Sequence, residues 1–356
     1  MTKKTAWIAI TLVILLPCII WFKFLFTPII NAEGGYEYTV PRGASAQSVI
    51  DDLYFKNIIK NRFLFHLLMK CHIHSNDFKA GEYLFPVGTT PSSLLRQLRT
   101  GGGLMYHQII IIPGWTMRQL RSALMSNPYL IHTINTMSDT ALMASVGMPG
   151  ISPEGRFSPN TYYFSNNTTD IALLKRAAKI MQDKINTAWK GRLTDLPFKD
   201  QNELLIAASL IEKETGLDVE RPIIAGVMVN RLRRNELLQF DPTVIYGMGS
   251  RYTGVIYKAD LLRKTPYNTY KIKGLPPTPI AIPSTESLMA AAHPAQHNYL
   301  YFVARGDGSH QFSETLAEHA KAVLRVRKLI PPFFNYNRVR SYLSAVLFLG
   351  AYQVNK

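Results

Sequence analysis

Acidic residues and cysteine are the scarce components of this chain. Its 356 residues hold 24 Asp and Glu against 40 Lys and Arg, a formal net charge of +16. An imbalance of that size favours a polyanionic neighbour: nucleic acid, anionic lipid or an acidic polymer. There are two cysteines. Cys18 falls in an apolar N-terminal run and Cys71 far outside it, so no intrachain disulfide is expected. Charged residues make up 18% of the chain and apolar ones 47%. That balance excludes a disordered chain and allows a core large enough for an enzyme. Metal-ligand spacing is missing as well. His310 and His319 flank the last hairpin and helix with no recognisable ligand set beside them, and neither metal nor cofactor is expected.

What is present begins with a long uncharged run. Lys3 and Lys4 precede "AWIAITLVILLPCIIWF", Ala6 to Phe22, and after Lys23 the run resumes as "FLFTPII". Lys23 can snorkel to an interface, so residues 6–26 are long enough to span a bilayer, which takes about 20 residues. A cleaved signal peptide would need a shorter apolar region and an A-x-A-like site, and "TPIINAEGG" offers none at a good position. The flanking lysines put residues 1–5 in the cytoplasm and the rest outside. The expectation is a single-pass protein of a bacterial inner membrane with a periplasmic body. An exported body meets no genome, which removes nucleic acid as a partner and leaves lipid headgroups or wall polymer.

Residues 27–36 read as a linker. A repeat follows, "PRGASAQSVIDDL" from Pro41 and "PVGTTPSSLLRQL" from Pro86, with an echo in "IPGWTMRQLRSAL" from Ile112. Each is a Gly-containing turn, then Ser45, Thr90 or Thr116 as a helix N-cap, then apolar residues at helical spacing. The alternating runs Tyr36–Val40, Gly81–Phe85 and His107–Ile112 lead into these turns as strands. Residues 37–125 therefore form a small α+β module, and "YTVPRGASAQSVIDDLYFKNII" resembles a LysM domain, which implies affinity for N-acetylated glycans. Residues 126–330 make a second, mixed α+β domain, and 331–356 a tail of unassigned role. Within the second domain, helices over 137–183 are interrupted by the loop "PEGRFSPNTYYFSNNTTD", with Glu154 and the aromatics Tyr162, Tyr163 and Phe164. Those rings suit either sugar stacking or packing.

The chemistry concentrates in "LLIAASLIEKETGLD", Leu204 to Asp218. Asp200 and Glu203 have capping-box spacing, and Thr215 and Gly216 read as the C-terminal stop. An all-apolar helix ends in Glu212 and Glu214, about 200° apart on the helical wheel, so one cleft can use only one of them. Glu214 sits in the last turn, where the helix dipole and apolar neighbours both raise a carboxyl pKa, the property a general acid needs. The competing reading pairs both acids with Lys213, Arg221, Arg231 or Arg233 at a surface.

The strings "EKETG", "VMVNRL", "LQFDPTVIYGMG", "TPYNTY", "GLPPTPI", "AAAHPA", "YLYFVA" and "GSHQFSET" occur in this order. With "FKAGEYLF" and "EGRFSPNTYYF" upstream, the chain resembles the endolytic murein transglycosylase family, also called MltG or YceG-like, from about Tyr38 to Leu329. The resemblance implies a lyase that cuts the MurNAc-β-1,4-GlcNAc bond of nascent peptidoglycan glycan strands. The substrate's C6 hydroxyl closes onto C1 and leaves a 1,6-anhydroMurNAc end. It implies Glu214 as the acid/base, with no paired carboxylate nucleophile, and a role in ending strands beside peptidoglycan synthases. Glu212 and Asp241 are candidate supporting acids. Thr243, Tyr246, Tyr267, Asn268 and Tyr270 are candidate substrate contacts. The sequence departs from the family pattern at Ser158, Asn160 and Thr278. Two alternatives stay open: a peptidoglycan-binding scaffold without activity, and a hydrolytic muramidase using Glu214 with Asp241, which would leave reducing ends.

Overall fold

The computed structural model describes residues 3–72, 78–166 and 168–329. The chain divides into two compact units. The first holds residues 1–108, 129–131 and 163–168; the second holds 109–128, 132–162 and 169–356. The sequence places a module boundary at residue 125, whereas Ile109–Pro128 groups with the second unit.

In the first unit, helix α1 (Lys3–Phe26) is followed by β1 (Tyr36–Val40), α2 (Ala46–Phe55), α3 (Arg62–His72), β2 (Gly81–Phe85) and α4 (Pro91–Thr100). β1 and β2 pair antiparallel, Tyr36 opposite Phe85 and Val40 opposite Gly81. Strand alternation turns Tyr38, Val40, Tyr83 and Phe85 inward, onto Ile50 and Leu53 of α2, Phe65 of α3 and Leu94 and Leu98 of α4. The repeat turns behave as the sequence implies. Gly43, Gly88 and Gly114 have φ of 77°, 86° and 79°, a left-handed geometry that favours glycine. Ser45 accepts the Ser48 N–H, and Thr90 and Ser93 cap each other reciprocally. Trp21, Phe24 and Leu25 at the end of α1 pack on this core. α1 carries the expected membrane span, and its side chains are described from Leu15 onward. Among the described residues no helix is long and apolar enough to cross a membrane.

The chain then runs through β3 (His107–Ile111), α5 (Met117–Met125), β4 (Leu130–Ile131), α6 (Asp139–Ser145), β5 (Asn160–Phe164) and β6 (Thr168–Thr169). β3 pairs with β5 and β4 with β6. The segment read as a loop thus contains a strand. Its alternation leaves Tyr163 exposed while Tyr162 and Phe164 are buried, so two of the three expected stacking rings are core.

The body of the second unit is helical: α7 (Asp170–Gly191), α8 (Gln201–Glu214), α9 (Arg221–Arg233), α10 (Asp241–Met248), α11 (Lys258–Leu262) and α12 (Thr285–Ala292). The hairpin β7 (Tyr301–Ala304) and β8 (His310–Ser313) and helix α13 (Leu316–Leu329) close it. α8 is the central rod. Leu204 to Ile211 are all buried, as apolar residues at all but one of these positions require, and α7, α9, α10 and α12 pack around it. Ser209 is the polar exception. Its Oγ donates to the Ile206 carbonyl and accepts the Ile280 N–H at 3.1 Å, which fastens the 279–282 segment to the rod. Asp200 caps α8 by accepting the Glu203 N–H, but Glu203 turns back to the Lys199 N–H, so the capping box is not reciprocal. α8 stops at an extended Thr215, not at a left-handed Gly216. α9 lies so close to residues 295–297 that a Cβ on Gly226 would sit 2.4 Å from the Ala295 carbonyl oxygen.

Candidate active site

The last turn of α8 opens into a cavity of about 500 Å³ within the second unit. Glu214, Asp241, Tyr246, Tyr270, His310 and His319 are among the side chains on its wall, contributed by α8, α10, the loop after α11, β8 and α13. Glu214 Oε1 is shielded from solvent and has no hydrogen-bond partner among the described residues. Burial, and next the nearby Asp241, hold the Glu214 carboxyl well above the ordinary carboxylate range. That direction favours the protonated form, the one a general acid needs. An orphaned buried oxygen costs about 1–3 kcal/mol, which a polar substrate group entering the cavity would relieve.

Asp241 opens α10, followed by Pro242, which suits a first helical turn. Its Oδ1 accepts a 2.5 Å hydrogen bond from Tyr270 Oη. Burial pushes Asp241 up to about 7 against the opposing pull of that bond. Tyr270 is itself raised well above its usual range, by burial first and then by Asp241, so it stays a donor. Glu214, Asp241 and Tyr270 therefore form one coupled, desolvated group.

The other expected site residues divide. Tyr246 lines the cavity and donates to Glu154 Oε2 at 3.0 Å, with its ring 4.7 Å from that of Tyr267. Tyr267 Oη pairs with Thr278 Oγ1 at 2.9 Å, so the departure at Thr278 is taken up locally. Thr243 is fully buried, bonded to the Phe240 carbonyl and to Thr269 Oγ1, and fixes the start of α10. Asn268 is also buried. Its Nδ2 gathers the carbonyls of Asp260, Leu261 and Arg263, and its Oδ1 accepts the Tyr270 N–H, so it shapes the turn that presents Tyr270. Glu212 points away from the cavity. Its Oε2 pairs with Arg221 at 2.9 Å and accepts from Ser284 N, Ser284 Oγ and Ser287 Oγ. Glu212 thus pairs with Arg221 as that alternative has it, but in a buried pair and not at a surface, whereas Glu214 Oε1 pairs with nothing among the described residues.

Four residues escaped the sequence reading. Arg231, offered there as an ion-pair partner, is buried and binds the carbonyls of Leu237, Leu238 and Leu300, which ties the loop before Asp241 to β7. Glu154 is buried, accepts the Met117 N–H at the start of α5, and is pushed by burial up to about 7. His319 stacks on Tyr301, and burial lowers it to about 4, so it is neutral. His310 meets Glu220 at 2.6 Å. The available signal was thin: a lone acid in a Ser- and Pro-rich loop, and two histidines about one hairpin from the domain's end. Among the described residues no group of three or more His, Cys, Asp or Glu is placed to hold a metal ion.

A model of the YceG-like family matches residues 38–325. The chain belongs to the YceG-like family. Among its relatives is a protein of Bacillus subtilis named endolytic murein transglycosylase, 30% identical over 80% of this chain and 82% of the relative. One of the same name from Streptococcus pneumoniae is 26% identical over 74% of this chain, which spans about half (53%) of that longer relative. A YceG-like protein of Listeria monocytogenes, solved by crystallography, is similar at a TM-score of 0.53 and 29% identity, over 80% of this chain and 98% of that one.

Proposed function

We propose that this YceG-like chain is a lytic transglycosylase acting on peptidoglycan glycan strands. It is an enzyme of the lyase class. The observation that carries the reading is the shielded, unpartnered carboxyl oxygen of Glu214 at the wall of a cavity large enough for sugar rings, where burial raises the group well above the ordinary carboxylate range. Glu214 gives its proton to the bridging oxygen of the MurNAc-β-1,4-GlcNAc bond as that bond breaks. The C6 hydroxyl oxygen of MurNAc bonds to C1 and loses its proton, which leaves a 1,6-anhydro end without consuming water. Asp241 and Tyr270 keep Glu214 charged with its proton and position it. Tyr246 and Tyr267 offer ring faces to the sugars. The uncharged N-terminal run supports a membrane anchor that holds the enzyme beside nascent strands, near the synthases that make them. The LysM-like module would add glycan affinity.

The test is mass spectrometry of glycan strands cut by the full chain in detergent, beside Glu214→Gln. Anhydromuramic ends from the native protein and a loss of at least about 100-fold in the variant are expected. Reducing ends would instead assign a hydrolase. Binding without cleavage by a folded native protein would assign a scaffold.

A further inference from the structure

Protonating the leaving group is half of the reaction just described; the C6 hydroxyl must also lose a proton. Glu214 can take that proton only after it has given up its own, and Asp241 has its Oδ1 occupied by Tyr270. Another wall of the same cavity holds a group suited to that half. Glu220 is buried at the start of α9 and makes no helix-capping bond. Its carboxylate turns to β8, where Oε1 accepts the His310 N–H at 2.8 Å and Oε2 lies 2.6 Å from His310 Nδ1. Oε2 also accepts from Thr215 Oγ1 at 3.2 Å, the residue directly after Glu214. A carboxylate only accepts, so Nδ1 carries the hydrogen, and in the tautomer this leaves Nε2 is the nitrogen that can accept a proton. Phe302 and Phe312 pack on the ring at 5.4 and 6.3 Å. The imidazole lines the cavity, and among the described residues its Nε2 has no protein partner. His319, the other histidine on the wall, has a buried Nδ1 with no hydrogen-bond partner among the described residues.

We propose that His310, oriented by Glu220, is a second catalytic residue that takes the proton of the attacking C6 hydroxyl at Nε2. The hydroxyl oxygen bonds to C1, the C1–O bond to the next sugar breaks, and Glu214 supplies the departing oxygen with its proton. The enzyme is left as an imidazolium and a carboxylate. Transfer of the proton from His310 back to Glu214, through water that enters as product leaves, restores both. This inference rests on the transglycosylase reading.

The experiment follows anhydro-end formation by the full chain, with thermal unfolding as a check on folding. His310→Ala is expected to lose about 100-fold or more in turnover with KM little changed, and to regain activity when imidazole is added to fill the space. His310→Gln keeps a donor for Glu220, guards against a folding defect, and is expected to lose the same turnover without rescue by imidazole. Native-like turnover in either variant overturns the proposal, as does a folded His310→Ala that imidazole fails to restore, since a merely structural histidine would behave so. A native protein that makes no anhydro ends overturns the transglycosylase reading and this step with it.

Discussion

Glu214 and Asp241 are two carboxyls whose protonation depends on each other. As pH rises past about 7, Asp241 ionises and its charge makes Glu214 still harder to ionise. The alkaline fall in activity marks loss of the Glu214 proton. Asp241→Asn removes the neighbouring charge, so Glu214 ionises earlier, and the falling limb of kcat/KM should move to lower pH by about one unit. An unmoved limb in an active variant would mean that Asp241 does not sense Glu214. At this scale the sequence was legible where local chemistry was enough. The end of an all-apolar helix singled out Glu214, and the 200° spacing set Glu212 apart. His310, Arg231 and Glu154 were not legible, because their partners lie 90, 69 and 37 residues away. Thr243 and Asn268, offered as substrate contacts, are buried and bonded within their turns, since a buried turn and a sugar site draw on the same polar side chains.

Among elements, α8 and the helices packed on it hold Glu214 in place. The Arg221–Glu212 pair is almost wholly buried, with side-chain exposures of 9% and 7%. Removing one partner leaves an uncompensated charge, so Arg221→Met should lower stability by about 3–5 kcal/mol in denaturant unfolding. A loss under about 1 kcal/mol would show that water or Ser284 and Ser287 suffice for Glu212. Helix starts and the β1, β2 and hairpin strands were readable because caps, turn glycines and alternation are local. Strand β5 was missed because Asn160–Phe164 sits between Pro159 and an Asn-rich turn, and its partner β3 is some 50 residues earlier in the chain.

For the whole molecule, the surplus of 16 positive charges and the uncharged N-terminal run predict different kinds of membrane contact. Attraction by charge alone fades as salt rises to 1 M, where screening acts over about 3 Å; an inserted helix is indifferent to salt. The full chain should therefore float with lipid vesicles at 1 M salt, and a protein left at the bottom of the gradient would rule out the anchor. The first unit has a different lesson to offer. The chain crosses between the units at 108/109, 128/129, 131/132, 162/163 and 168/169, five times in all. A single break in the chain cannot separate every residue of the first unit from the second. Homologous exchange would transplant the pair together or leave both halves unfinished, so lineages of this family are expected to inherit the two units as one gene segment.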